Sequence, residues 1–355
     1  MKELSLMKKY LLITKNKKVS KDYFMKNKIK ATTLFIRVTE NCNASCFMCG
    51  FAKAKKQLYV SKEAMAEIVE ESVKAGIKLA RFTGGEPLLH PDMGLFIKNF
   101  KDKGIKTSLI SNGFLLPEKY QMLLEAGLDQ LILSLDGSSP KIHDKLRNLP
   151  GVFENLTKGI KLIKGQKNKL IIRVNTVVSP FNIKDLPNIL KLITALGVDQ
   201  WSIIPLKSEK NLWSEMDRDK LLAIYSQFKK IIKNVESPKI LGYSKLWAGK
   251  TSKEVKKYFD IGVAATPGKR CGLSGLVNFY VPFTDRLTPC NCVSWRLKNV
   301  DFNTQFGLSA LSDGSMISFV DYLNQNGPKT CQGCEPINAY LGDHPEIIDE
   351  DLFSF

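Results

Sequence analysis

The feature that most constrains this 355-residue chain is a strict alternation of strand-like and helix-like stretches between 32 and 207. Apolar runs rich in branched residues recur at 34–39, 78–85, 105–111, 128–137, 169–178 and 199–207, with helical periodicity between them. In the segment 62–76, Met65, Ile68, Val69 and Val73 share one helical face, and Gly76 stops the run. Similar helices are expected at 91–103, 117–126, 151–164, 183–195 and 215–235. Strands buried on both faces and joined by helices make a parallel sheet, so the fold class is α/β. Six such units suit an open or partial (β/α)6 barrel. Beyond 236 the elements shorten and Gly and Pro punctuate them. The expected organisation is therefore a Lys-rich arm at 1–31, a core at 32–235 and a smaller α+β domain at 236–355, with no internal repeat evident.

Eight cysteines are unevenly placed along that frame. Cys42, Cys46 and Cys49 follow directly on the first strand, on the loop at its carboxyl end, where α/β proteins build their sites. Short, clustered spacings in a chain without a secretion signal read as metal binding rather than as disulfides. Three thiolates on one loop can hold three corners of a cubane iron-sulfur cluster and leave the fourth iron open to another ligand. A closed zinc site wants four protein ligands, and the nearest histidine, His90, lies forty-one residues beyond Cys49.

With its intervening Asn-Ala-Ser and Phe-Met, this run resembles the defining motif of the radical S-adenosylmethionine (radical SAM) superfamily, and Phe47 occupies its aromatic-favoured place. The resemblance implies a 4Fe-4S cluster whose open iron chelates SAM, with reductive cleavage of SAM to methionine and a 5'-deoxyadenosyl radical. Thr83-Gly84-Gly85-Glu86-Pro87 after the second strand coincides with the family's GGE motif. Glycines allow a backbone to approach a ligand closely, and a carboxylate can accept from an ammonium group. Gly84, Gly85 and Glu86 are thus candidates for the SAM amino group. Ser134 and Asp136 end the fourth strand and Arg147 follows; in similar enzymes a serine and an arginine in these places hold the SAM ribose and carboxylate. Arginine suits a carboxylate because its fork binds bidentately. Asn112 and Asn175, at polar strand ends, are further candidates. The resemblance covers about 34–207.

The remaining cysteines lie late in the chain. Cys271, Cys290, Cys331 and Cys334 supply four thiolates, enough for a second cubane or for zinc, and spacing does not choose between them. Placed after a radical SAM core, they resemble the twitch domain, the shortened relative of the SPASM domain, which implies one auxiliary 4Fe-4S cluster. Cys292 stands two residues beyond Cys290, on the same face if the segment is extended. Three roles compete for it: an alternative cluster ligand, a bystander, or a free thiol that donates hydrogen to a substrate radical, as in similar epimerases.

Net charge bears on partners. Fifty-three Lys plus Arg against thirty-five Asp plus Glu give +18, mostly from scattered Lys, with ten in the first thirty residues. Such lysine reads as solvating surface, and a Zn-stabilised nucleic-acid-binding protein would have to explain three cysteines beside Gly-Gly-Glu, which it does not. No apolar run reaches the length that crosses a bilayer, so a cytoplasmic protein without membrane partners is expected. The expected substrate is a small polar metabolite, such as a sugar, an aminocyclitol or a nucleotide-linked sugar, undergoing epimerisation or dehydrogenation. The alternative is maturation of a ribosomally made peptide. A flavodoxin- or ferredoxin-like protein is the expected electron donor.

Overall fold

A computed structural model describes residues 33–49, 58–206, 217–232, 235–241, 277–288, 307–313 and 315. In chain order the elements are β1 (Thr33–Thr39), α1 (Lys62–Ala75), β2 (Leu79–Gly84), α2 (Met93–Asp102), β3 (Lys106–Ser111), α3 (Leu116–Glu125), β4 (Gln130–Ser134), α4 (Pro140–Arg147) and α5 (Val152–Lys164). They continue with β5 (Ile171–Val178), α6 (Leu186–Ala195), β6 (Gln200–Pro205), α7 (Arg218–Ile232), β7 (Lys239–Leu241), β8 (Val277–Val281) and β9 (Arg286–Thr288). All nine strands form one open sheet in the order β7-β6-β5-β4-β3-β2-β1-β8-β9. Every neighbouring pair is parallel except the β8–β9 hairpin. Each strand from β1 to β7 is added beside its predecessor, the arrangement of a partial barrel. Six expected strands and six expected helices are present, with ends moved by a few residues. Beyond 236, β7 pairs with β6 and β8 pairs with β1, extending the same sheet.

Local chemistry accounts for the helix boundaries. Ser61 accepts from the Ala64 amide to start α1, and Gly76, at φ 76°, takes the left-handed turn that ends it. Helices α1, α2, α3, α5 and α6, with Phe228 of α7, bring their apolar residues into one core with Ile36, Ala80, Phe82, Leu109, Leu131 and Val174. Helix α4 was not expected. Its eight residues are mostly polar and bury only His143 and Leu146, too few for a periodicity to register.

Strand alternation divides the sheet into two chemically distinct faces. The face away from the helices carries Phe35, Arg37, Arg81, Ser108, Gln130 and Arg173. Arg81 donates to Ser108 Oγ at 2.7 Å and to Gln130 Oε1 at 3.2 Å, and its guanidinium lies 5.2 Å from the Phe35 ring centre. Gln130 Nε2 in turn donates to Gln200 Oε1 at 3.0 Å. A polar layer therefore spans this face of the sheet from β2 to β6.

Two strands are entered through the same local clamp. Gly127-Leu128-Asp129-Gln130 and Gly197-Val198-Asp199-Gln200 enter β4 and β6 in the same way. Asp129 accepts from the Thr107 amide and Lys101 Nζ; Asp199 accepts from the Ile172 amide and Lys164 Nζ. The carbonyls of the same two aspartates receive the Ile171 and Lys239 amides. Four residues are too short a signal to stand out in a one-dimensional scan. Among the described residues no helix is long and apolar enough to cross a membrane.

Candidate functional site

The cysteine loop leaves the carboxyl end of β1 and is held by the ends of three other elements, β2, β3 and α4. The Gly85 amide donates to the Thr39 carbonyl at 2.8 Å and the Glu86 amide to the Asn41 carbonyl at 2.7 Å. Gly84, at φ 134°, and Gly85 both lie against this strand end; a Cβ on Gly85 would overlap the Asn41 carbonyl. That close approach is what the two glycines permit here. On the far side, Asn112 Nδ2 donates to Asn43 Oδ1 at 2.7 Å. From the end of α4, Asn148 Nδ2 donates to Ser45 Oγ at 2.5 Å, and Arg147 Nη1 lies 3.9 Å from Cys46 Sγ. Asn43, Ser45 and Asn148 were not singled out from sequence. Asn148 carried a usable signal, since asparagine is favoured in the left-handed turn that closes a helix, and its φ is 47°.

All three thiols are free, Cys46 buried and Cys42 and Cys49 half-buried. The Ala44 amide points at Cys42 Sγ at 3.4 Å. Burial pushes the Cys42 thiol up to about 11 and also raises Cys46, where the Arg147 charge pulls the other way. Metal binding must therefore displace thiol protons, which a strongly bound metal does. Among the described residues no three His, Cys, Asp or Glu side chains converge as ligands to one ion must, at about 2.0–2.3 Å each for zinc. A cubane instead takes each sulfur at a separate corner, and an all-sulfur donor set suits iron-sulfur chemistry. The residues present fit such a cluster.

Two buried carboxylates flank the loop. Glu86 accepts from the Leu88 amide at 3.0 Å, Ser111 Oγ at 2.8 Å and the Asn112 amide at 2.7 Å. Burial raises its pKa, opposed by the Asn112 and Leu88 amides and the Ser111 hydroxyl. Asp136, with no exposed surface, accepts from the Val177 amide at 2.8 Å and lies 2.7 Å from Arg147 Nη2. Burial raises the Asp136 carboxyl, against the pull of the guanidinium. Burial works against the Arg147 charge too, but Asp136 and Cys46 more than restore it. His143 Nδ1 accepts from the Asp136 amide at 3.0 Å, and burial holds its pKa well below the ordinary histidine value.

The other candidates lie around this rim. Ser134, the last residue of β4, is opposite Asn175 of β5, whose Oδ1 receives Arg173 Nε at 2.9 Å. Phe47 is 50% exposed and meets Phe181, 63% exposed, edge-on at 5.7 Å. Thus Gly84, Gly85, Glu86, Asn112, Asp136 and Arg147 surround the cysteine loop, with Ser134 and Asn175 on the neighbouring strand ends. Cys271, Cys290, Cys292, Cys331 and Cys334 lie outside the described residues.

With the geometry in place, similarity to other proteins is informative. A family model described as the radical SAM superfamily matches residues 36–193. A GTP 3',8-cyclase of Aliarcobacter butzleri is 30% identical over 222 residues, 59% of this chain and 68% of that protein. A probable GTP 3',8-cyclase of Methanocaldococcus jannaschii is 36% identical over 183 residues, 50% of this chain and 60% of its own length. An AdoMet-dependent heme synthase of Nitratidesulfovibrio vulgaris is 25% identical over 346 residues, 90% of both chains. Of the M. jannaschii cyclase and a Methanosarcina barkeri heme synthase, the chain spans only 60% and 46%. Among solved structures, Streptococcus suis SuiB bound to S-adenosylmethionine superposes with a TM-score of 0.62 at 14% identity, over 84% of this chain and 68% of SuiB. The enzyme anSMEcpe with bound AdoMet gives 0.54 at 18% identity, over 81% and 80%. At these identities the structural likeness is one of fold.

Proposed function

This chain belongs to the radical SAM superfamily, whose cofactors are S-adenosylmethionine and a 4Fe-4S cluster, and we propose that Cys42, Cys46 and Cys49 are the cluster ligands. The observation that carries the assignment is the convergence of β2, β3 and α4 on the loop that bears these three thiols. When bound, the cluster supplies the electron that cleaves SAM to methionine and a 5'-deoxyadenosyl radical. The chain's own residues bind and orient. Gly84, Gly85 and Glu86 shape the strand end against Thr39 and Asn41 and would hold the SAM amino group there, with Ser134, Asn112 and Asn175 on the adjoining strand ends. Phe47 offers an aromatic edge at the mouth, and Arg147, held by Asp136, faces the loop from the side.

The substrate is a small polar metabolite carrying anionic groups. Support comes from the sheet face away from the helices, where Arg37, Arg81 and Arg173, each with partners inside the protein, stand among Gln130, Gln200 and Ser108 and give that face a polar, basic character. Relatives named GTP 3',8-cyclase act, by that name, on a nucleoside triphosphate, which is of this class. The outcome, epimerisation or dehydrogenation, turns on Cys292 and on an auxiliary cluster at Cys271, Cys290, Cys331 and Cys334 in a twitch-like domain spanning 236–355. A peptide substrate is the alternative; its support is likeness of fold to SuiB, solved with its precursor peptide SuiA. The electron donor on this reading is a flavodoxin- or ferredoxin-like protein.

Anaerobic reconstitution tests the assignment. Wild-type protein is expected to bind about eight irons if both cubanes form, and Cys46→Ala about four. Cys46→Ala should form no 5'-deoxyadenosine under dithionite, whereas Cys334→Ala should still form it. Cleavage of SAM by Cys46→Ala at the wild-type rate overturns the ligand assignment. Deuterium from solvent appearing in product made by Cys292→Ala removes that thiol as hydrogen donor.

A further inference from the structure

We propose that Arg147 is a positioning residue that sets the reduction potential of the cluster at Cys42, Cys46 and Cys49, as a fixed positive charge anchored by Asp136. This rests on the cluster assignment above but does not follow from it, since a ligand set says nothing of the charges behind it.

The guanidinium bridges two partners. Nη2 lies 2.7 Å from Asp136 Oδ2, and Nη1 lies 3.9 Å from Cys46 Sγ. Asp136 is enclosed and tethered: it has no exposed surface, and its other oxygen receives the Val177 amide. The next residue, Asn148, grips Ser45 beside Cys46, so the end of α4 is tied to the loop twice. Arg147 therefore has little freedom to swing away from the sulfur. A separation of 3.9 Å is long for a directed N–H···S bond, so the field of the Asp136–Arg147 pair, whose positive end is nearer the sulfur, is the larger effect.

Its consequence is a matter of sign. Potentials of iron-sulfur clusters respond to net charge, to hydrogen bonds at the sulfurs and to solvent exposure. Reduction adds one electron to a unit whose thiolate ligands are already negative, and a buried guanidinium at Cys46 stabilises the added charge in a low dielectric. That electron comes from an external reductant, dithionite in the test below. Arg147 makes and breaks no bond and exchanges no proton. The Asp136–Arg147 pair acts as a dipole with its positive end toward Cys46.

The test is an EPR-monitored redox titration of the reconstituted full-length protein without SAM, so that any role of Arg147 in holding SAM does not enter. The relevant signal is the one absent from Cys46→Ala. In Arg147→Gln the ratio of reduced to oxidised cluster at a fixed potential should fall at least tenfold, a shift of about 59 mV to the negative for a one-electron couple. Arg147→Lys, which keeps the charge, should recover most of that shift. Asn148→Gly, which cuts the neighbouring tie but keeps the left-handed turn, should leave the potential unchanged. If Arg147→Gln does not fold, Arg147→Met, which also removes the charge and keeps most of the stem, is titrated in its place with the same expectation and the same overturning result. An unchanged potential in Arg147→Gln with its iron retained overturns the inference, as does an equal shift in Asn148→Gly. Wild-type protein without the Cys46-dependent signal overturns the cluster assignment instead.

Discussion

The two rims of the sheet use aspartate for opposite purposes. At the amino-terminal rim, Asp129 and Asp199 sit partly exposed, each tying the start of a neighbouring strand to a lysine on the preceding helix. At the carboxyl-terminal rim, Asp136 is fully enclosed, and its ion pair holds Arg147 against Cys46. An exposed pair needs little from its surroundings and adds modest stability. A buried pair is costly to desolvate and persists where its neighbours over-determine it. The difference teaches that one rim closes the fold while the other holds a buried charge beside the cysteine loop, the division expected of parallel α/β proteins.

The largest expected effect is at the carboxyl rim. Gly85→Ala puts a methyl group into the Asn41 carbonyl, and we expect a loss of about 3 kcal/mol in urea unfolding together with impaired iron loading. Wild-type stability and full iron in this variant would show that the rim is less tightly closed than described. Next, Asp129→Ala leaves the Thr107 amide without its carboxylate and should cost about 1–3 kcal/mol, and Asp199→Ala should behave alike for Ile172. Unlike Gly85→Ala, both should retain SAM cleavage per folded molecule; loss of cleavage would erase the contrast between the rims.

A pH measurement sharpens the contrast further. The folded-state pKa of His143 is drawn below the unfolded value of 6.5, so below that pH the unfolded chain binds a proton that the folded chain refuses. Stability is complete above pH 6.5 and falls with acidification by up to about 1.4 kcal/mol per pH unit for this residue. His90, also lowered by burial, adds in the same direction. His143→Gln should show a shallower decline between pH 6.5 and 5 than wild type; parallel curves would place the acid sensitivity elsewhere. The smallest effect belongs to the surface pair Lys98–Asp102, 2.9 Å apart on α2. Lys98→Ala should cost only about 0.3–0.5 kcal/mol, and less at 1 M salt.

Much of the fold was legible because its signals are local. Six strands and their helices announced themselves by periodicity, and Gly76 ended α1 where its neighbours predicted. Helix α4 escaped, being short, polar and buried through two side chains, yet its final turn brings Arg147 and Asn148 to the cysteine loop across more than a hundred residues. Gly84 and Gly85 were legible as residues needing close approach, but what they approach, the strand end at Thr39 to Asn41, was not. Glu86 was legible as a carboxylate beside the site; its three donors, Leu88, Ser111 and Asn112, come mostly from the next strand.

By itself the sequence determined the alternating architecture and the three thiols on one loop, because strand and helix periods and a motif's spacing are properties of neighbours along the chain. Only the tertiary structure decided which charges stand behind those thiols. The Asp136–Arg147 pair, its contact with Cys46 and the matching aspartate clamps at the other rim arise from residues far apart in sequence. Their meeting depends on strand order and register, which no local pattern encodes.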